Sequence, residues 1–215
     1  MAKNEHRPDQ TASYVTLGRE AHAELIEKKS VFIGHASPVK TPEAAVAFID
    51  AIRKQYADAT HNVYAYMISS GQYVRYSDDG EPQGTAGVPV LDVIRKSGFT
   101  DAVIVVTRYF GGILLGAGGL VRAYSAAAKE AVDAAGIVSY RLYTELTLNC
   151  SYPLYQKLIP ELSRFGVITD DASFDAGVTL RLAIRESDSV LFFDSIREIS
   201  AGKCVPTVTG SRYGV

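Results

Sequence analysis

Five glycines fall between Gly111 and Gly119, directly after the β-branched run Ala102-Val103-Ile104-Val105-Val106 and directly before an alanine-rich helical pattern. The apolar run reads as a buried strand. In the helical pattern Leu120, Val121, Tyr124, Ala127, Ala128, Ala131, Val132 and Ala135 recur at three- and four-residue spacing, Lys129, Glu130 and Asp133 lie opposite, and Gly136 closes the run as a C-cap. A helix face made of alanine packs unusually close to a sheet. Glycines this dense let main-chain amides approach a ligand or a neighbouring backbone, and the first amides of a helix have no internal partner. The strand–loop–helix unit therefore implies either a docked anion or polar chain, or an unusually tight crossing of backbones.

A chain of 215 residues with 47% hydrophobic residues supports one or two compact domains with a real core. Residues 1–139 carry 14 basic and 15 acidic side chains and residues 140–215 carry 8 and 9, so neither half is the basic body of a bulk nucleic-acid binder. Cys150 and Cys204 form neither a CxxC nor a zinc-type spacing and read as reduced core residues. The polar N-terminus has no apolar signal region and no segment reaches bilayer length, which places the chain in the cytoplasm with no membrane partner.

In the second half, Leu142, Thr144, Leu146, Leu148 and Cys150 alternate with polar residues as a half-buried strand does. A helical pattern from Pro153 to Phe165 follows, with Pro160 expected to kink or divide it. Residues 167–174 and 178–185 form a predicted hairpin, Ser187 is read as the cap of a helix running to Gly202, and residues 204–208 supply a last strand. The order is β-α-β-β-α-β, the ferredoxin-like split motif. In the first half, strands are predicted near residues 14–17 and 30–35, a helix opens at Thr41-Pro42 and runs to Tyr56, and residues 61–68 and 72–77 form a hairpin before an acidic turn. The expected division is 1–139 and 140–215.

Lys28-Lys29-Ser30 with Phe32, Ala59-Thr60-His61-Asn62 with Tyr64 and Tyr66, Asp78-Asp79-Gly80-Glu81-Pro82 with Thr85-Ala86-Gly87, and Thr107-Arg108-Tyr109-Phe110-Gly111-Gly112 continuing to Gly116 appear in that order. By these elements residues 14–136 resemble the Impact family, also called YigZ-like, and the C-terminal half resembles the extra domain of its bacterial members. The resemblance implies an α+β protein. Its N-terminal domain would have the superfold of a ribosomal small-subunit protein and of elongation factor G domain IV. Its C-terminal domain would be ferredoxin-like, as is that factor's terminal domain. It also implies a role around translation, because eukaryotic relatives regulate a translation-linked stress kinase pathway by binding a ribosome-associated activator.

The residues themselves leave several chemistries to weigh. Gly111 and Gly116 have the outer spacing of a Walker A loop, but Ala117 stands where its lysine belongs, and Val121 breaks a dinucleotide fingerprint. Glycine amides at a helix start flanked by Arg108 and Arg122 still suit phosphate or carboxylate. The alternative is structural, with the glycines serving close packing and Arg108 paired to Asp78 or Asp79. The acidic turn Asp78-Asp79-Gly80-Glu81 reads as a magnesium cluster or as ordinary turn chemistry, and the second fits better because nothing completes a site. His61 reads as a general base or as a histidine locking a hairpin, the latter preferred for want of a nucleophile at diagnostic spacing. Tyr64, Tyr66, Tyr73, Tyr76, Tyr109 and Phe110 with Lys28 and Lys29 form a candidate RNA-stacking surface, although Tyr73 and Tyr76 are out of phase.

The sequence is thus read as a regulatory or translation-associated module that binds RNA, the ribosome or a translation-linked protein, without catalysis, metal or cofactor. The candidate contact residues are Arg108, Tyr109, Phe110, Gly111, Gly112, Gly116, Gly118, Gly119, Arg122, His61, Asp78, Asp79, Glu81, Lys28 and Lys29. The alternative is an enzyme or binding protein for a small phosphorylated or anionic ligand at the glycine-rich loop, with His61 or an aspartate as base. Oligomeric state is not legible.

Overall fold

The computed structural model describes residues 13–215, which divide into the compact units Tyr14–Ser139 and Tyr140–Val215. The chain passes from one to the other within a single strand. The elements of the first unit are β1 (Ser13–Leu17), β2 (Ala21–Glu27), β3 (Ser30–Pro38), α1 (Pro42–Gln55), β4 (His61–Ile68), β5 (Tyr73–Ser77), α2 (Gly87–Ser97), β6 (Ala102–Tyr109) and α3 (Ala117–Ala135). Its sheet is antiparallel with the order β2-β3-β6-β4-β5. Central β6 is buried on both faces, which is why it reads as a continuous apolar run. Ala102, Ile104 and Val106 enter the core with α2 and α3, whereas Val103 and Val105 enter a smaller core with Ala45, Ile49 and Ile52 of α1.

The alanine face of α3 does pack close. A Cβ at Gly34 on β3 would lie 2.3 Å from the Ala127 carbonyl oxygen, so only glycine permits this crossing. Helix α1 is capped as its sequence indicates, with the Ala44 N–H donating to Thr41 Oγ1 at 3.2 Å and Pro42 in the first turn. Strand β2 and helix α2 are not foreseen by the sequence pattern. Much of β2 is alanine and charged residues on a sheet edge, and α2 begins Gly87-Val88-Pro89 with a cap supplied from elsewhere in the chain.

The second unit contains β7 (Ile137–Cys150), α4 (Tyr152–Arg164), β8 (Ile168–Phe174), β9 (Val178–Arg185), α5 (Ser189–Ile199) and β10 (Thr207–Gly214). The strands β10-β7-β9-β8 pair antiparallel in that order, the arrangement of a ferredoxin-like split motif, and β1 also pairs with β7 as the fifth strand of this sheet. Leu146, Leu148, Leu180 and Leu182 pack against Leu158 of α4 and Phe192 and Ile196 of α5. Three local expectations change. Pro160 sits inside α4 without dividing it. Ser187 does not cap α5; a 3-10 turn over Glu186–Asp188 precedes the helix, and the Ser187 hydroxyl bonds the Asp188 carboxylate instead. The last strand begins at Thr207, not at Cys204, whose backbone N–H donates to Ser200 Oγ. Cys204 is buried and free, its thiol pKa pushed up to about 11 by burial and then by nearby Cys150.

On the α1 face, His35 is 5% exposed and lies between the rings of Tyr56 and His22, with centroids at 5.0 and 6.1 Å. Burial first, and the His22 charge second, lower its pKa from 6.5 to about 4. The unfolded imidazole titrates near 6.5, so between these values the unfolded state binds the extra proton, and stability is complete above 6.5 and falls as the pH drops toward 4. The loss reaches about 3 kcal/mol at the bottom of that window. Urea denaturation midpoints at pH 7 and pH 4.5 will show this decline, and His35→Leu will flatten it.

Candidate functional site

The sequence motifs of the first unit converge on one buried carboxylate. Glu81, in the turn before α2, lies with its Oε1 at 2.5 Å from Arg108 Nη1 on β6, 2.7 Å from the Tyr124 hydroxyl on α3 and 3.8 Å from His61 Nε2 at the start of β4. Arg108 is only 5% exposed. Its guanidinium carbon sits 5.3 Å from the Phe32 ring centroid and 5.5 Å from that of Phe110, and Nη2 reaches Ser30 Oγ at 3.5 Å. Burial, and then the hydrogen bond to Glu81, hold the Tyr124 hydroxyl far above its ordinary pKa, so it stays a donor.

The rest of the acidic turn is committed as well. Asp78 accepts from the backbone N–H groups of Gly84, Ala86 and Gly87 and so caps α2. Asp79 accepts from the Asn62 N–H at 2.6 Å and from Arg53 at 2.7 Å. The Asp79 carbonyl accepts from His61 Nδ1 at 2.7 Å, which fixes the proton on that nitrogen. Neither aspartate pairs with Arg108; the expectation of such a pair is corrected to Glu81, the one carboxylate of the three that turns inward. Among the described residues no group of three histidine, cysteine or acidic side chains is arranged to hold a metal ion.

The glycine segment divides by role. Gly111 rests on the β2–β3 turn, where a Cβ would fall 2.0 Å from the Lys29 carbonyl carbon, and its N–H donates to Ser30 Oγ at 3.1 Å. Lys28 and Lys29 hold that turn with φ of 46° and 65°. Gly112 and Gly116 have positive φ, and Gly118 and Gly119 lie in the first turn of α3 instead of the loop. Among the described residues no side chain caps that helix start. Lys28, Gly119 and Arg122 line a cleft of about 220 Å³ together with Glu27, Leu25, Leu115 and Ala123. Next to it the loop exposes Phe110, Ile113 and Leu114, the last 83% exposed. Tyr109 points to the other face of the sheet and donates to Asp58 at 2.8 Å.

A family model described as the Impact N-terminal domain matches residues 28–132, and a model described as a domain of unknown function (DUF1949) matches residues 148–203. The IMPACT family member YvyE of Bacillus subtilis is 38% identical over 192 residues, which cover 89% of this chain and 88% of that protein. The chain belongs to the IMPACT family. YigZ of Escherichia coli is 35% identical over 81% of this chain and 87% of its own length, and Protein IMPACT of Mus musculus is 33% identical over 43% of this chain and 30% of its own. A crystal structure titled only as that of a hypothetical protein aligns with a TM-score of 0.59 at 31% identity, covering 93% of this chain and 98% of that one.

In this IMPACT chain the motif residues are thus mostly ligands of one another. Thr107 Oγ1 donates to Asn62 Oδ1, Asn62 Nδ2 donates to the Tyr56 carbonyl, and the Phe110 N–H donates to Thr60 Oγ1. Sequence reasoning overlooked Ser30, Tyr124 and Asn62 as members of this cluster. The first and last are visible in the motifs, but Tyr124 looks like any residue of an apolar helix face. It also left out Arg53 and Arg75, which line a second groove with Tyr64 and Tyr66.

Removing the buried hydroxyl deprives a desolvated carboxylate of one donor. Tyr124→Phe is expected to lower stability by about 1.5–3 kcal/mol in urea denaturation, while Tyr109→Phe, whose bond to Asp58 is exposed, leaves the midpoint unchanged within error.

Proposed function

We propose that this chain is a regulatory, translation-associated module of the cytoplasm that binds RNA, the ribosome or a translation-linked protein partner and carries out no catalysis. One observation carries the reading: the groups that look reactive in the sequence, Arg108, Glu81, Asp78, Asp79 and His61, are engaged with one another or with backbone, while the exposed part of the same motifs is apolar and basic. Phe110, Ile113 and Leu114 stand out from the loop, and Lys28, Lys29 and Arg122 flank it. A projecting apolar tip with cationic neighbours is a contact surface. The chemistry of acid–base turnover needs the opposite, a polar constellation opening into a concave pocket.

The eukaryotic relatives named Protein IMPACT match this chain over about 100 residues, a length that the first unit accommodates and the second does not, which favours the first unit as the seat of the common activity. The second unit's sheet supports the same placement. On the face of β7 and β9 opposite the helices, Glu145, Thr147, Asn149, Thr179 and Arg181 stand beside one aromatic residue, Tyr143, which is paired with Arg185 and buried at 6% exposure. Ferredoxin-like RNA readers stack bases on aromatics at such central-strand positions.

The uncapped α3 start with Lys28 and Arg122 in one cleft favours a second reading, a small phosphorylated or anionic ligand held there. Co-sedimentation of the purified protein with ribosomes over a salt series separates the two. Saturable binding that falls at least tenfold in a Lys28→Glu, Leu114→Asp, Arg122→Glu protein is the expected result. A parent protein that stays in the supernatant, yet gains thermal stability with inorganic phosphate, decides for the small anion.

A further inference from the structure

A second groove, on the opposite face of the sheet from Glu81, joins residues that no sequence motif joins. Helix α1 covers β6 and β4 but stops short of the edge strand β5. In the register of β4 with β5, Tyr66 faces Arg75 and Ile68 faces Tyr73. Directly paired residues share a face, and Tyr64, Tyr66 and Ile68 belong to the α1 side. Arg75 and Tyr73, the latter 53% exposed, therefore continue that side past the helix. The space between is about 320 Å³ and is lined by Val46, Asp50, Arg53, Tyr64, Tyr66 and Arg75.

Two features give this groove a chemistry. The Arg53 guanidinium lies 5.3 Å from the Tyr64 ring centroid and is held by Asp79 at 2.7 Å, so a planar cation stacked on an aromatic ring is fixed in advance. Arg75 forms no ion pair among the described residues and is exposed. A fixed planar platform beside a free guanidinium suits a ligand that combines an aromatic plane with an anion. A volume of about 320 Å³ lies at the small end of ligand sites, about 300–1,000 Å³, and has room for one nucleotide unit.

We infer that this groove binds single-stranded RNA one nucleotide at a time, with a base against the Tyr64–Arg53 platform, a phosphate on Arg75 and Asp50 as acceptor for a ribose hydroxyl or a base amine. An acidic peptide fits less well, because it leaves the stacked plane unused and meets the Asp50 carboxylate. A duplex fits less well too, because its bases present no free face. The inference deepens the proposed translation-associated role and rests on it for the choice of RNA, but not on the glycine-loop rim.

The test is fluorescence anisotropy of labelled octauridylate and octaadenylate with the full chain across a salt series. Saturable binding is expected, about tenfold weaker in Arg75→Ala, and the slope of log affinity against log salt becomes shallower by about 0.7, the change that one fewer neutralised phosphate produces. Arg95→Ala, an exposed change on α2, leaves binding unchanged. The Lys28→Glu, Leu114→Asp, Arg122→Glu protein keeps its affinity for the oligonucleotides whatever happens to its ribosome binding, so the two proposals fail separately. The inference is overturned if the parent does not bind, if Arg75→Ala binds as tightly as the parent, or if inorganic phosphate or a glutamate-rich peptide competes as well as the unlabelled oligonucleotide.

Discussion

The ion pair between Arg108 and Glu81 is the interaction on which the geometry of the first unit turns. A charge pair this far from water is held in place only by good geometry and by hydrogen bonds to the remaining polar atoms. Here the supply comes from two directions, Tyr124 on α3 and Ser30 beside the β2–β3 turn, while Arg108 Nε has no hydrogen-bond partner among the described residues. Each belongs to a different element, so the pair fixes where the acidic turn, the central strand and the alanine-rich helix stand relative to one another. The aspartates next to Glu81 then extend the same turn outward, one into the start of α2 and one onto Arg53. Through Arg53 the turn also sets the platform on the far face of the sheet.

This arrangement accounts for a chain whose motifs look catalytic and whose surface does not. Polar groups have been drawn inward to specify packing, and the glycines let backbones cross, Gly111 against Lys29 and Gly34 against Ala127. What remains outside is an apolar loop tip with basic neighbours and, on the other face, a groove with two arginines and two tyrosines. Both surfaces lie in the unit to which the family's shared N-terminal domain maps.

Much of the fold is legible in the sequence because its central elements carry a pattern that only one structure satisfies. Val103 to Val106 are β-branched and buried from both sides, and α3 shows a clean apolar face ended by a glycine. Elements that depend on distant partners are not legible. Helix α2 starts on a glycine and is capped by Asp78, nine residues before Gly87, and β2 is an edge strand whose alternation is carried by alanine. The site follows the same rule. Three carboxylates lie within four residues, and nothing local tells which one turns inward toward β6; that choice is made by Tyr124, 43 residues further along the chain. Tyr64 and Tyr66 were grouped with Lys28 and Lys29 for the same reason, since no local pattern shows that α1 brings Arg53 over Tyr64 from the other side.

A double-mutant cycle on Glu81 and Arg108 tests this account most directly. Glu81→Gln and Arg108→Met each leave one buried charge without its partner, an arrangement that costs about 3–5 kcal/mol. Replacing both removes the two charges together. If the pair organises the unit, the double variant is less destabilised than the sum of the singles, with a coupling energy above about 1 kcal/mol. Additive losses would contradict the account, since they would mean that the two side chains contribute to stability independently.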